Sequence, residues 1–468
     1  SFIAPEHYSK LTRLYSNSPL INYPGMPTVT PAATPKGYFF DGSTGVYQNI
    51  DNTKIWIYPS MRRGGRMLYA FNVTNRTSPA FMWKVGCPNN LPATRVTDGT
   101  VAPDDTGCSS GMSGIGQTWS TPQVAEHIAG YEKPVVIVGG GYDNCEDKDA
   151  VSPSCSTRKG AVVYILDAET GALLKTLPLP GDTPGSVAAD VALLSHTTAG
   201  VVDHGYVTDT RGNIYRIDFN SSDITTSVIH RIAYTNGSNR KFFYPPALLT
   251  VGNTIYLAIG TGDREHPLYS QYPFDGVTNR LYVFADNLSD SIGTEYNLDN
   301  TNIMSDKTTD NGCASESIIG TNFKGWFMDL NQYGQGEQTV TSALITSGLI
   351  VFSTNRPIAP ETGTCTTSLG EARGYWVNIF NGSGAVGTTN ICGGTRSDKF
   401  VGGGLPPSPI FAVVPIDGIP TTVVIGAVQR EGSNNGGNGA SSPIAPQEVL
   451  PNTNLKRKTV YWKSSGNN

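Results

Sequence analysis

Gly160-Ala-Val-Val-Tyr164-Ile-Leu-Asp167-Ala-Glu-Thr-Gly171 reads as a short apolar strand running into a tight turn. Asp167 stands three positions after Tyr164, where its carboxylate can accept backbone N–H bonds of the turn, and Gly171 supplies the positive φ that closes it. The same spacing of an aromatic residue and an Asp or Asn recurs at Tyr69-Ala-Phe-Asn72, Tyr215-Arg-Ile-Asp218, Trp326-Phe-Met-Asp329 and Tyr375-Trp-Val-Asn378. Weaker copies stand at Tyr282-Val-Phe-Ala285-Asp286 and Tyr461-Trp-Lys-Ser464. About seven copies result, unevenly spaced around the ~40–50 residues of a propeller blade.

Glycine-broken β-rich runs precede the clear copies, such as Pro134-Val-Val-Ile-Val-Gly-Gly-Gly141 before Tyr164 and Thr254-Ile-Tyr-Leu-Ala-Ile-Gly260 before Tyr282. Each pair reads as strand, turn, strand. Helix starts are scarce, so the fold class is all-β, and radial repetition of short four-stranded units makes a β-propeller with long loop insertions the expected architecture. Two β-sandwiches are the alternative. The propeller is expected over residues 49–468. Residues 1–48, with Pro19, Pro24, Pro27, Pro31 and Pro35, read as an irregular arm packed on it, and Gly432-Ser-Asn-Asn-Gly-Gly-Asn-Gly439 as a flexible loop.

Composition narrows the function. Of the 468 residues only 15% are charged, against roughly 25% in ordinary soluble proteins. A net charge of −5 gives no broad positive field for phosphate contacts, so nucleic acid is not an expected partner. No stretch approaches the ~20 apolar residues of a membrane span. The start, Ser1-Phe2-Ile3-Ala4, lacks an initiator Met and a signal-like apolar region, and reads as that of a processed or excised chain. Seven cysteines without CxxC spacing argue against zinc ribbons and for loop-closing disulfides in an oxidising compartment. Proximity pairs Cys87 with Cys108, Cys145 with Cys155 and Cys365 with Cys392, leaving Cys313 over.

Catalytic motifs are weak. Gly107-Cys-Ser-Ser-Gly111 matches G-x-S-x-G, but an acidic loop precedes Ser109 where a nucleophile elbow needs a strand. Gly111-Met-Ser-Gly-Ile-Gly116 misplaces the third glycine of a dinucleotide fingerprint. Asp41-Gly-Ser-Thr-Gly45 nearly matches a D-x-S-x-S metal motif but has Gly45 in place of the second hydroxyl, and reads as a turn. His196, His204 and His266 have acidic or hydroxyl neighbours without HxxH or HExxH spacing, so they read as surface or loop histidines. The loop Asp143-Asn-Cys-Glu-Asp-Lys-Asp149 gathers carboxylates without an EF-hand ladder. A solvated acidic loop is the plainer reading there, and a calcium site the other.

Longer strings carry a family resemblance. Met61-Arg-Arg-Gly-Gly-Arg-Met-Leu-Tyr-Ala-Phe-Asn-Val-Thr74, Gly114-Ile-Gly-Gln-Thr-Trp-Ser-Thr-Pro122, Val136-Ile-Val-Gly-Gly-Gly-Tyr-Asp143 and Gly212-Asn-Ile-Tyr-Arg-Ile-Asp218 together resemble the C-terminal domain of the PilC/PilY proteins. These are type IV pilus biogenesis factors and tip adhesins. The resemblance is strong over about residues 55–275, and Gly260-Thr-Gly-Asp-Arg264 still fits it. It implies a modified seven-bladed propeller, shaped like the quinoprotein dehydrogenases but not catalytic.

The family role so implied is an extracellular, pilus-tip protein secreted through the periplasm of a Gram-negative bacterium. It would support pilus assembly by opposing retraction, and promote adhesion and twitching motility, with minor pilins and a host or abiotic surface as partners. Alternatives are a quinoprotein-type dehydrogenase, against which no adjacent Cys-Cys pair stands in the chain, and a carbohydrate-binding propeller. The resemblance also implies a calcium loop, D-x-[DN]-x-[DN]-G-x-x-D, at Ser195, Thr197, Ala199, Gly200 and Asp203. Only Asp203 brings charge there, and Val201 offers at most a carbonyl, so no cofactor is expected and calcium at most weakly. No catalytic residue is assigned.

Overall fold

The computed structural model describes residues 2–22, 33–151, 153–237, 239–309, 312–313, 317–359, 369–388, 392–400, 403–416, 419–426 and 447–448. Among the described residues six blade sheets follow one another in chain order. Blade 1 is formed by Thr44–Gln48, Ile55–Pro59, Arg66–Asn72 and Ala80–Cys87, each antiparallel to the next. Blade 2 comprises Gln123–Ala125, Val135–Gly139, Val162–Asp167 and Leu173–Pro178. Blade 3 comprises Ala192–Leu194, His204–Thr208, Asn213–Asp218 and Val228–Tyr234, with Tyr296–Asn297 added in parallel at its outer edge. Blade 4 runs Ala247–Val251, Thr254–Gly260, Arg280–Asn287 and Gly325–Asp329, edged by Met304–Asp306. In blade 5, Gln338–Thr339 and Leu344–Thr346 both pair with Leu349–Arg356, followed by Glu371–Asn378 and Ser397–Lys399. Ile410–Ile416, Ile419–Ile425 and Gln447–Glu448 form blade 6. The fold is the β-propeller.

Tyr69, Tyr164, Tyr215, Tyr282 and Tyr375 all stand in the third strand of their blades. Packing shows the same equivalence. Tyr164 lies in the core shared with blade 1, Tyr215 in that with blade 2, Tyr282 in that with blade 3 and Tyr375 in that with blade 4. A tyrosine recurs because the third strand is covered on both faces, and an aromatic ring fills the wedge towards the preceding blade. Tyr69 faces the same way, and there the covering comes from Ala4 and Phe40 of the N-terminal arm.

One expected copy is misplaced. Trp326 is in the fourth strand of blade 4, opposite Val283 of the strand that carries Tyr282, so the two are not in successive blades. A long insertion between these strands imitates the length of a blade. Trp326 is nevertheless buried, and its indole N–H donates to the Ile379 carbonyl at 2.7 Å, tying blade 4 to blade 5. The copy at Tyr461, and with it a seventh blade, lies outside the described residues, as does the loop 432–439.

Asp167 does what its position in the turn suggests. One carboxylate oxygen accepts the amide N–H groups of Glu169 and Thr170, at 3.0 and 2.7 Å, and Gly171 has φ +73°. A Cβ on Gly171 would also strike the Trp83 ring of blade 1 at 2.6 Å.

The arm departs from expectation in two respects. Thr44–Gln48 is the first strand of blade 1, so the propeller starts before residue 49. The arm also contains a helix, Tyr8–Ser16, entered through a 3-10 turn with Pro5 at its first position and ended by Asn17 in the left-handed region. It docks through Glu6, which receives the Tyr69 hydroxyl at 2.5 Å and pairs with Lys84 at 2.8 Å. Pro24, Pro27 and Pro31 lie outside the described residues.

Glu337 is a costly element of blade 5. One of its oxygens accepts the hydroxyls of Thr354 and Tyr375 at 2.6 and 2.7 Å, while the other, also buried, meets no donor among the described residues. Burial pushes its pKa up. An acid with a raised folded pKa destabilises the fold at pH values above that pKa and ceases to do so when protonated. Glu337→Gln keeps the accepting oxygen and removes the charge, so it is expected to raise stability in urea at pH 7 by about 1 kcal/mol. The gain should shrink towards pH 4, and a variant less stable than the parent at pH 7 would contradict this reading.

Candidate functional site

Two clusters of polar side chains lie on the loops of blades 2 to 4. The first is the acidic loop, where Asn144–Asp147 forms a 3-10 turn capped by Asp143, whose carboxylate accepts the Cys145 N–H at 3.1 Å. Its Asp143, Glu146 and Asp147 carboxylates are occupied by cations drawn from distant parts of the chain. Asp143 is clasped by Arg95 through two bonds of 2.9 Å, both side chains fully buried. Glu146 receives Arg158 and stands 3.1 Å from the Lys241 ammonium, which is 2.9 Å from Asp263. Asp147 pairs with Arg63 at 3.0 Å and accepts the Tyr142 hydroxyl at 2.8 Å.

At Asp263 and Arg158 burial opposes the charged form, with opposite outcomes. Desolvation would raise the Asp263 pKa, but Lys241 and His266 hold it well below the usual carboxylate range. Burial, with Arg211 nearby, lowers the Arg158 pKa to about 10. Asp143, Glu146 and Asp147 are therefore engaged in internal ion pairs, while Asp149 is exposed and accepts the Tyr272 N–H at 2.8 Å. His266, expected on the surface, is buried and contacts Asp263 at 2.9 Å.

The second cluster is the hairpin loop between the first two strands of blade 3. Leu194 and His204 are paired across it, and the Asp203 carboxylate reaches back to accept the N–H groups of His196 and Thr197 at 2.9 and 2.6 Å. Burial would raise the Asp203 pKa, but these bonds from Thr197 and His196 hold it low. Gly200, at φ +81°, makes the reversal. The loop is anchored to blade 2, where the Val202 N–H donates to the His127 carbonyl at 2.9 Å and the Val202 carbonyl accepts the Ala129 N–H at 2.8 Å. Both carboxylate oxygens of Asp203 thus serve the turn. Ser195, Thr197, Ala199 and Val201 add no charge, so the residues do not fit the 6–8 oxygen ligands of calcium.

The family model described as the PilY1 beta-propeller domain matches residues 32–239, which span blades 1 to 3. Residues 32–239 are thus similar to a PilY1-type β-propeller domain. The Type IV pilus biogenesis factor PilY1 of Pseudomonas aeruginosa strain PAO1 is 28% identical over 161 residues, 34% of this chain and 11% of the relative. PilY1 of strain UCBPP-PA14 is 26% identical over 156 residues, 33% of this chain and 10% of the relative. The chain thus spans only about a tenth of the curated relatives it matches. The crystal structure of the Pseudomonas aeruginosa PilY1 C-terminal domain shares the fold, with a TM-score of 0.58 over 83% of each chain and 17% identity.

Three disulfides brace the domain among the described residues. Cys87 is bonded to Cys108 and Cys145 to Cys155. Cys392 is bonded to Cys313, not to Cys365, because the blade 4 insertion brings Cys313 to the loop between the last two strands of blade 5 although 79 residues separate the two. Cys365 lies outside the described residues. Next to Cys108, Ser109 is tied to blade 1: its amide donates to Gly86 O at 2.8 Å and its hydroxyl accepts the Gly86 N–H at 3.2 Å. The Asp41–Gly45 segment is the approach to the first strand of blade 1, where the Ser60 hydroxyl donates to Ser43 O at 3.1 Å.

Sequence reasoning missed the meeting of His196, Asp203 and His204, whose ligand atoms, one from each, lie within 4.8 Å of one another. The hairpin register brings them together, and a His seven residues before an Asp-His pair across a Gly turn is the only trace it leaves in the sequence.

Proposed function

We propose that the chain is the propeller of a type IV pilus biogenesis factor. In this reading it is a non-enzymatic, extracellular domain at the pilus tip that opposes retraction and supports adhesion and twitching, with minor pilins and a surface receptor as partners. The observation that carries the reading is the match of residues 32–239 to the PilY1 propeller. Recognition would fall to the blade loops, held on a rigid scaffold.

Two features weigh against the alternatives. Sugar-binding surfaces stack exposed aromatic rings, and here Trp56, Trp83, Trp119, Trp326 and Trp376, all the tryptophans among the described residues, are less than a tenth exposed, so that stacking would fall to exposed tyrosines such as Tyr15 and Tyr269. A dehydrogenase needs an uncommitted base, and Asp143, Glu146 and Asp147 of the acidic loop are held in ion pairs. Among the described residues no helix is long and apolar enough to cross a membrane.

Deleting the segment that encodes this propeller in the source bacterium is expected to reduce surface pili at least tenfold, with recovery when the retraction motor is also disabled. Purified minor pilins should co-elute with the purified chain. Unchanged piliation, or dye reduction by the chain with pyrroloquinoline quinone and an alcohol, would overturn the proposal.

A further inference from the structure

We propose that His196, Asp203 and His204 form a binding site for a divalent transition metal of the zinc class, in the place where a calcium loop would be expected. Three donors of the right kind converge, each offering one ligand atom within 4.8 Å of the other two. Two imidazoles and one carboxylate suit zinc, which takes nitrogen and oxygen ligands at about 2.0–2.2 Å. Calcium takes oxygen ligands and would find a single carboxylate.

Neighbouring groups prepare both rings for this role. The Nδ1 of His204 is 2.8 Å from an Asp218 oxygen, and since a carboxylate only accepts, Nδ1 carries the proton and Nε2 keeps its lone pair. Asp218 is in turn held by Arg216 at 2.9 Å. A carboxylate behind a histidine fixes ring orientation and tautomer and makes the free nitrogen a better ligand. The Nε2 of His196 is 3.0 Å from the Gly252 carbonyl of blade 4, which also only accepts, so Nδ1 of that ring keeps its lone pair. The His196 and His204 rings lie 6.3 Å apart between centroids, tilted by 59°, so neither stacks on the other. Asp203 is anchored by the two amide bonds of its turn, and a carboxylate oxygen accepting one N–H retains a further lone pair for a metal.

The surroundings suit an ion with an open coordination position. Asp203 and His204 line a groove of about 720 Å³ between the loops of blades 2 and 3, shared with His127, Tyr131 and Glu132. Three protein ligands leave a fourth position for water or for a donor that enters from this groove. The loop that presents the ligands is fastened to blade 2 through Val202. The site does not depend on the pilus reading.

The test is calorimetry of the untagged, chelator-stripped chain with zinc chloride, alongside cobalt(II) absorption as a report of coordination geometry. One zinc per chain at micromolar affinity or tighter is expected, with a visible cobalt spectrum of tetrahedral intensity. His196→Gln and His204→Gln, each confirmed folded by circular dichroism, should weaken zinc at least tenfold. Asp218→Asn, which keeps the three ligands and removes the carboxylate behind His204, should weaken it less. Absence of zinc binding, or zinc binding unchanged in both histidine variants, would overturn the proposal. A stoichiometric calcium site abolished by Asp203→Ala but untouched by the histidine variants would do so equally.

Discussion

Arg95→Met is expected to destabilise the domain by about 3–5 kcal/mol, because it leaves the buried Asp143 carboxylate without its cation. Arg95 has no exposed surface. Besides its two bonds to Asp143 it donates to the carbonyls of Val101 at 2.6 Å and Thr157 at 3.2 Å, so one side chain joins the loop before blade 2 to the two ends of the acidic loop. The amides of Cys145 and Lys159 still donate to Asp143 in the variant, but they cannot offset a full charge in that setting. Urea unfolding followed by tryptophan fluorescence measures the loss. The double change Arg95→Met with Asp143→Leu should recover part of it, since an apolar pair of similar volume restores neutrality. A loss below about 1 kcal/mol for the single variant would show that water reaches the site.

Cys313→Ser combined with Cys392→Ser is expected to cost about 4–5 kcal/mol, the largest effect of the three disulfides in the chain-entropy view. The bridge closes 79 residues, against 21 for Cys87–Cys108 and 10 for Cys145–Cys155. Removing those shorter bridges should cost roughly 3 kcal/mol each, since the effect grows with the logarithm of loop length. Peptide mapping under non-reducing conditions checks the pairing first and should yield a peptide joining Cys313 to Cys392. Finding Cys365 joined to Cys392 would contradict it. Unfolding midpoints of the paired serine variants then test the ranking, and equal losses for all three would show that strain or residual structure outweighs loop length.

Local pattern was enough for the fold because its information is local. A third strand covered on both faces selects an aromatic, the turn after it selects Asp or Asn with Gly, and both signals fall within eight residues, as at Tyr164 to Gly171. The short disulfide spacings are legible for the same reason. Trp326 shows the limit: a buried fourth strand demands the same residue types as a third, and only the pairing with Val283 tells them apart. Three features were decided by tertiary structure alone. Cys313 meets Cys392 across an insertion, the acidic loop takes its cations from Arg63, Arg95, Arg158 and Lys241, and His196 comes to Asp203 and His204 when the hairpin closes. Charge and ligand chemistry depend on distance through space, and in a propeller the blade loops that come together are separated in the chain by whole blades, so no spacing in the sequence records their meeting.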